Sequence, residues 1–358
     1  MNHEEIILKT TKRTLALCTG LLLCLACFAL PISAADALPA QGELKMITYN
    51  IDGLPLPAFI NGYGHYPWRD AAEIGRQIAA DGCALLAVQE DFSNYFSIRR
   101  AFAAPYYSYN QGNIPAGDGL DFFSQHPIYN IERRAWAQRY GGFTYGATDE
   151  YTPKGFQHAV MELAPGVYLD VYNLHANAGG GGAGNPAAAA RRAQFQQLSA
   201  YMQEHSQGRA VVVLGDFNTR LRQPFDGLYE VLMEPNGLRD TWAETFNDGR
   251  EAYTGQSDWY QESGVDRIMY RSGDAVALTL VTSCHQPWRT AEGRDLSDHA
   301  FSWAATFAYA FTGVTEEGVE LGAPKPMPVL EKAWGYIYHF FRDLGILFTK
   351  DLPNLLGV

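Results

Sequence analysis

The run Val211-Val212-Val213-Leu214-Gly215-Asp216-Phe217-Asn218 constrains this chain more than any other stretch. Four consecutive apolar residues, three of them β-branched, suit a strand buried on both faces. Gly215 ends the run, and a carboxylate and an amide follow at i and i+2. Those positions point the same way along an extended chain. Asp216 and Asn218 therefore project together from the end of a core strand. Read alone, the pair is equally a turn in which Asx side chains bond the backbone. The rest of the chain has to separate the two.

Other apolar runs end in the same manner. Residues 44–51 are strand-like with Asn50 near the end, and Asp52-Gly53-Leu54-Pro55 breaks the run. Residues 68–80 carry Ala71, Ile74, Ile78 and Ala79 at helical spacing, residues 84–88 form a second buried strand ending in Gln89-Glu90, and residues 92–102 read as helix. Strands over 119–124 and 128–135 flank His126-Pro127. Residues 156–163 and 166–174 form a hairpin around Ala164-Pro165, whose second arm exits at His175-Ala176-Asn177. Residues 179–184 read as a flexible glycine-rich loop, since no lysine stands at P-loop spacing. Residues 186–203 read as a helix with Pro186 in its first turn and Arg191 and Arg192 on its exposed face. After a loop-rich region from 219 to 264, strands are expected over 265–270 and 276–282. Leu296-Ser297-Asp298-His299 introduces a last strand over 300–307. Strands with a few interspersed helices predict an α/β sandwich, two packed sheets with helices outside.

The two ends differ from this body. Lys9, Lys12 and Arg13 precede an apolar run over 15–30 and small residues at 31–35, the pattern of a cleaved signal peptide spanning 1–35. The run is shorter than the roughly 20 residues that span a bilayer, so the expected destination is secretion or the periplasm. Cys18, Cys24 and Cys27 leave with it. Cys83 and Cys284 remain, free to pair in an oxidising compartment or to stay as small buried residues. Residues 42–310 read as one domain, and 311–358 as a proline-punctuated linker and an amphipathic helix. The stretch 330–348 is aromatic but interrupted by Lys332, Arg342 and Asp343, which suits packing on the domain or peripheral contact with a membrane. No obligate protein partner is evident.

Set side by side, the strand exits carry Asn50, Glu90, His175, Asp216 with Asn218, Asp266, and Asp298 with His299. Any one of them has a structural explanation, whereas all together at strand ends are hard to obtain by accident. Carboxylate and amide oxygens suit a hard cation, Mg²⁺ first, with Mn²⁺ or Ca²⁺ as alternatives. Two imidazoles are then left for proton transfer or for bonding phosphoryl oxygens. That combination fits metal-dependent hydrolysis of a phosphate ester. No Gly-x-Ser-x-Gly elbow supports a serine nucleophile.

These blocks resemble the endonuclease/exonuclease/phosphatase (deoxyribonuclease I-like) family, which includes nucleases, inositol polyphosphate 5-phosphatases and neutral sphingomyelinases. Thr48-Tyr49-Asn50, Gln89-Glu90, Leu174-His175, Gly215-Asp216-Phe217-Asn218, Asp266-Arg267-Ile268 and Ser297-Asp298-His299 occur in family order. The resemblance implies a four-layered α/β sandwich of two mostly antiparallel sheets flanked by helices. It implies Glu90 as principal metal ligand, supported by Asn50 and Asp298. Asp216 would orient or deprotonate the attacking water, and Asn218 would hold a phosphoryl oxygen. His299, oriented by Asp266, would act as general base or as a hydrogen-bond donor. His175 would contact the phosphate together with Asn177.

The substrate is less directly written. His175-Ala176-Asn177 and Lys154-Gly155-Phe156 are similar to elements of sphingomyelinase-like members. The formal net charge of −12 argues against non-specific binding of nucleic acid, which normally leaves a basic footprint. The reading is a secreted phospholipase C or sphingomyelinase-like phosphodiesterase, with a lipid head group favoured over nucleic acid. The alternatives are an extracellular endonuclease, with Arg99, Arg100, Arg133, Arg134 and Arg139 as a local basic rim, and a non-catalytic binding module on the same fold.

Overall fold

The computed structural model describes residues 41–53, 67–92, 94–108, 118–141, 149, 152–220, 224–246, 264–314, 316, 319 and 321–322. The expected signal peptide and the stretch 330–348 lie outside the described residues.

Two six-stranded sheets carry the structure. The first holds β1 (Gln41–Asn50), β2 (Leu85–Gln89), β3 (Tyr106–Tyr107), β4 (Asp121–Ser124), β11 (Val276–Gln286) and β12 (Ser302–Phe311), in the order β11-β12-β1-β2-β4-β3. The second holds β5 (Ile128–Ala135), β6 (Gly155–Ala164), β7 (Val167–His175), β8 (Val211–Asp216), β9 (Arg239–Asp240) and β10 (Asp266–Arg271), in the order β5-β6-β7-β8-β10-β9. Only β1 with β2 and β7 with β8 run parallel; the other neighbours are antiparallel. Each parallel pair needs a crossover. Helix α1 (Pro67–Ala80) supplies the first and α3 (Pro186–His205) the second, while α2 (Tyr95–Phe102) packs beside α1.

The period-2 pattern of β1 and β2 shows why layers form. Leu44, Met46, Leu85 and Ala87 join the core shared with the second sheet, whereas Ile47, Tyr49, Leu86 and Val88 pack against Ile74, Ile78, Ile98 and Phe102 of the helices. Val211 through Leu214 are fully buried, as a four-residue apolar run requires. Burying each such side chain contributes about 1.5–3 kcal/mol. The result is the expected α/β sandwich.

Several local expectations are corrected. Arg191 does not lie on an exposed face: its side chain is 0% exposed, while Arg192 stays half-exposed and pairs with Glu230. Arg133 is no rim residue either, for it is buried and paired with Asp118 and Asp121. Cys83 is buried, Cys284 is exposed, and both are free thiols. The loop-rich region contains β9, the short helix α4 (Thr241–Phe246) and a π-helical turn at Leu228–Met233. Beyond β12 the chain is still bonded to the domain, through Arg209 to Glu316 and through the Gly322 amide to Asn130 Oδ1. Among the described residues, no helix is long and apolar enough to cross a membrane.

Candidate active site

Strand register places the chemistry. On the second sheet His175 pairs with Asp216, and Asp216 with Asp266, so three adjacent strands present three polar residues in one row. On the first sheet Asn50 pairs with Gln89, which sets Glu90 one residue beyond. The loop entering β12 brings His299. The two parallel pairs end at the same side, and their polar ends converge.

Asp216 Oδ2 is the meeting point. It accepts hydrogen bonds from Asn50 Nδ2, Asn218 Nδ2 and His175 Nε2, each at 3.2 Å, and His299 Nε2 stands 3.8 Å away. Its other oxygen accepts from the Asn218 amide at 2.8 Å in an Asx turn, and Asn218 itself adopts a left-handed φ of +50°. Burial alone would raise the Asp216 carboxyl. The hydrogen bond from His175 and the charges of His175, His299 and Lys154 outweigh it and hold the group well below the usual carboxylate range.

His299 is fixed at both ends. Its Nδ1 donates to Asp266 Oδ2 at 2.6 Å, and its backbone amide donates to Ser297 Oγ, which itself donates to the Asn50 carbonyl at 2.7 Å. Burial opposes the charged ring. The Asp266 carboxylate, with Asp216 and Asp298, outweighs burial and raises His299 well above the ordinary histidine value. Burial and the Asp216 charge raise the Asp266 carboxyl against the pull of His299. Asp266 Oδ1 is buried with no hydrogen-bond partner.

Glu90 adopts φ +55°, a left-handed conformation that costs a non-glycine residue roughly 1–2 kcal/mol. The turn is held by Ile51 N donating to Gln89 O and Asp91 N donating to Gly119 O, both at 3.1 Å. The Glu90 carboxylate is a quarter exposed, and its Oε1 accepts from Asn50 Nδ2 at 3.1 Å. Stored strain at a polar strand exit is typical of functional positions. The oxygen donor that Glu90 leaves partly open fits a hard cation. Asp216, Asp266 and His299 also bring one ligand atom each within 4.8 Å of one another. Asp216 Oδ2, Asp266 Oδ2 and His299 Nδ1 are already engaged in the contacts above. The partly open carboxylate of Glu90 is the better seat; Asn50, expected to support it as a ligand, turns Nδ2 toward Glu90 and accepts from the Asp52 amide at Oδ1 at 3.1 Å.

The structure brings Asn50, Glu90, His175, Asp216, Asn218, Asp266 and His299 together. It does not place every side chain as expected. His175 is only 2% exposed and is spent on Asp216, leaving little surface for a substrate. Asn218 gives its amide protons to Ala176 O and Asp216 Oδ2, so here it orients Asp216. Asn177 faces its own loop: Oδ1 accepts from the Tyr140 amide and Nδ2 donates to Ala178 O. Asp298 is exposed, with Oδ1 lying 3.4 Å from Ser297 Oγ. Trp136, unmarked in the sequence, donates Nε1–H to the His175 carbonyl at 2.7 Å. Lys154, noted there only within a short similarity, is buried and pairs with Asp149 at 2.5 Å.

Known proteins resemble this chain in sequence and in fold. The model of the Endonuclease/Exonuclease/phosphatase family matches residues 47–299. Sphingomyelinases of Mycobacterium bovis and Mycobacterium tuberculosis are 31% identical over 283 residues, covering 73% of this chain and 52% of theirs. The chain thus spans about half the length of the curated relatives it matches. Among solved structures, a humanized D. rerio TDP2 is similar with TM-score 0.54 and 17% identity, covering 74% of this chain and 98% of that one. A beta toxin mutant from Staphylococcus aureus with bound magnesium ions gives TM-score 0.51 and 17% identity, covering 74% and 99%. At such identities the structural likeness speaks for the fold.

Proposed function

The chain belongs to the endonuclease/exonuclease/phosphatase family, and from that premise we propose that it is a divalent-metal-dependent phosphodiester hydrolase of sphingomyelinase type, exported from the cytoplasm. The observation that carries the reading is the Asp216 carboxylate, buried yet held ionised between His175 and His299 with Glu90 beside it. A pure binding module has no need of that arrangement. The sphingomyelinases matched over 73% of this chain support a lipid phosphodiester, and the acidic net charge supports it over nucleic acid.

A divalent cation seated on Glu90 would supply positive charge against the charge that grows on the phosphoryl oxygens. Mg²⁺ suits the oxygen donors. The chain's own residues do the rest. Asp216 orients the attacking water as a charged hydrogen-bond acceptor. His175 and Asn218 keep that carboxylate aimed and ionised. Asp266 holds His299 by Nδ1, so Nε2 is left to donate a hydrogen bond to a phosphoryl oxygen or to pass a proton. Pre-aimed donors of this kind need no reorganisation during reaction.

The test is a substrate panel. Mature protein is assayed on sphingomyelin, phosphatidylcholine, plasmid DNA and RNA, with Mg²⁺ or with EDTA. Metal-dependent cleavage of the choline lipid is expected. Cleavage of DNA without lipid would replace this reading by an extracellular nuclease, and no turnover of any phosphoester would end the enzyme reading. Export is checked by N-terminal sequencing of the protein recovered from medium or periplasm, where a start near residue 36 is expected.

A further inference from the structure

Behind the site, one buried ion pair ties two strand exits together. The Arg191 side chain on α3 and that of Asp226 are both 0% exposed. One terminal nitrogen of the guanidinium donates to the carbonyls of Asn177 and Gly179, at 2.8 and 3.0 Å. The other donates to the Gly180 carbonyl at 2.8 Å and to Asp226 Oδ1 at 3.1 Å. The second oxygen of Asp226 accepts from Thr219 Oγ1. One guanidinium therefore grips the chain leaving β7 just after His175. Through Asp226 it also holds the chain leaving β8 just after Asn218. Gln194, on the next turn of α3, adds an acceptor for the Asn177 amide at 2.9 Å.

Stability is a weak reason for such a pair. Desolvating two charges is costly, and apolar residues of similar volume often do as well. What the planar fork supplies is geometry, several carbonyls held at once by a rigid group, which a lysine ammonium cannot reproduce. We propose that Arg191 and Asp226 are positioning residues, a clamp that fixes the spacing of the two exits and with it the bond from His175 Nε2 to Asp216 Oδ2. This rests on the phosphodiesterase reading for its catalytic consequence.

The same two strands carry a natural control at their other end, where Arg209 Nε donates to Asp170 Oδ2 at 2.8 Å. Arg191→Lys, Asp226→Asn and Arg209→Lys are compared with wild type in the full-length protein. Melting, kcat and KM on the phosphodiester cleaved in the panel, and the ring NMR signals of His175 are measured. A misplacement of about 1 Å can cost ~100-fold. Arg191→Lys and Asp226→Asn are therefore expected to lower kcat by roughly 10- to 100-fold with KM little changed, and to move the His175 signals. Arg209→Lys is expected to lower the melting temperature while leaving kcat and the His175 signals in place. A folded Arg191→Lys protein with wild-type kcat and wild-type His175 signals overturns the clamp. So does an equal loss of kcat in Arg209→Lys. Should Arg191→Lys fail to fold, Asp226→Asn, which keeps an acceptor, decides alone. If wild type cleaves no phosphodiester, the functional reading falls, and the His175 signals decide the clamp without turnover: unmoved signals refute it.

Discussion

His299 Nδ1 stands 2.6 Å from Asp266 Oδ2, a contact made across 33 positions of sequence. Neither residue is a strand neighbour of the other. Asp266 opens β10 on the second sheet, and His299 lies in the loop that enters β12 on the first. The contact thus closes the sandwich over the site and leaves Nε2 facing Asp216 at 3.8 Å.

Removing the charge of Asp266 should free the ring. Asp266→Asn keeps the size of the side chain but offers an amide where the imidazole needs an acceptor. Loss of an oriented acid–base group typically costs roughly 10²–10⁴-fold in kcat. A loss in that range is the expected result of steady-state assays, in a protein that still folds but melts at a lower temperature because the stabilisation of charged His299 is lost.

The same pair has a pH signature. The folded protein raises His299 well above its ordinary value. Its contribution to stability is therefore fully present below the unfolded histidine pKa of about 6.5 and is lost as pH rises through the folded value. In metal-free protein, His299→Gln should abolish that part of the stability decline above pH 6.5. Urea midpoints of wild type and variant, compared from pH 6 to pH 9, should converge toward the alkaline end.

Glu90 can be tested apart from the fold. Glu90→Gln keeps an oxygen to accept from Asn50 Nδ2, so the turn should survive. The cation loses its charged seat. Calorimetric titration with Mg²⁺ should show affinity weakened roughly tenfold or more, with the melting temperature of the metal-free protein unchanged.

Gly215 permits the close approach of β7 and β8. A Cβ there would lie 2.2 Å from the Leu174 carbonyl oxygen, on the strand that ends in His175. That atom is backbone and cannot swing aside. Gly215→Ala should cost at least about 1–3 kcal/mol, the usual range for overpacking, read from chemical denaturation.

Much of the site was legible because apolar runs stop abruptly. Val211 to Leu214 announces a core strand, so Asp216 and Asn218 stand at a known edge; Leu85 to Val88 does the same for Glu90. Arg191 was misread for a physical reason. Ala187 to Ala190 are four alanines in a row, which mark no face of α3, and a charged residue after them looks solvated. Three of its four partners are backbone carbonyls, which leave no trace in side-chain pattern, and the fourth, Asp226, lies 35 positions away. Trp136 is hidden likewise, since its partner is the carbonyl of a residue 39 positions away. The orientation of Asn177 toward its own loop depends on the Tyr140 amide, which spacing along one strand cannot reveal.

The account stands or falls on Asp216. Turnover of sphingomyelin at saturating Mg²⁺ should fall by roughly 10³-fold or more in Asp216→Asn, given how much a pre-aimed charged acceptor contributes. The variant should remain folded, since the amide keeps an oxygen for the His175 and Asn50 donors. Activity within tenfold of wild type in a folded Asp216→Asn protein would contradict the account.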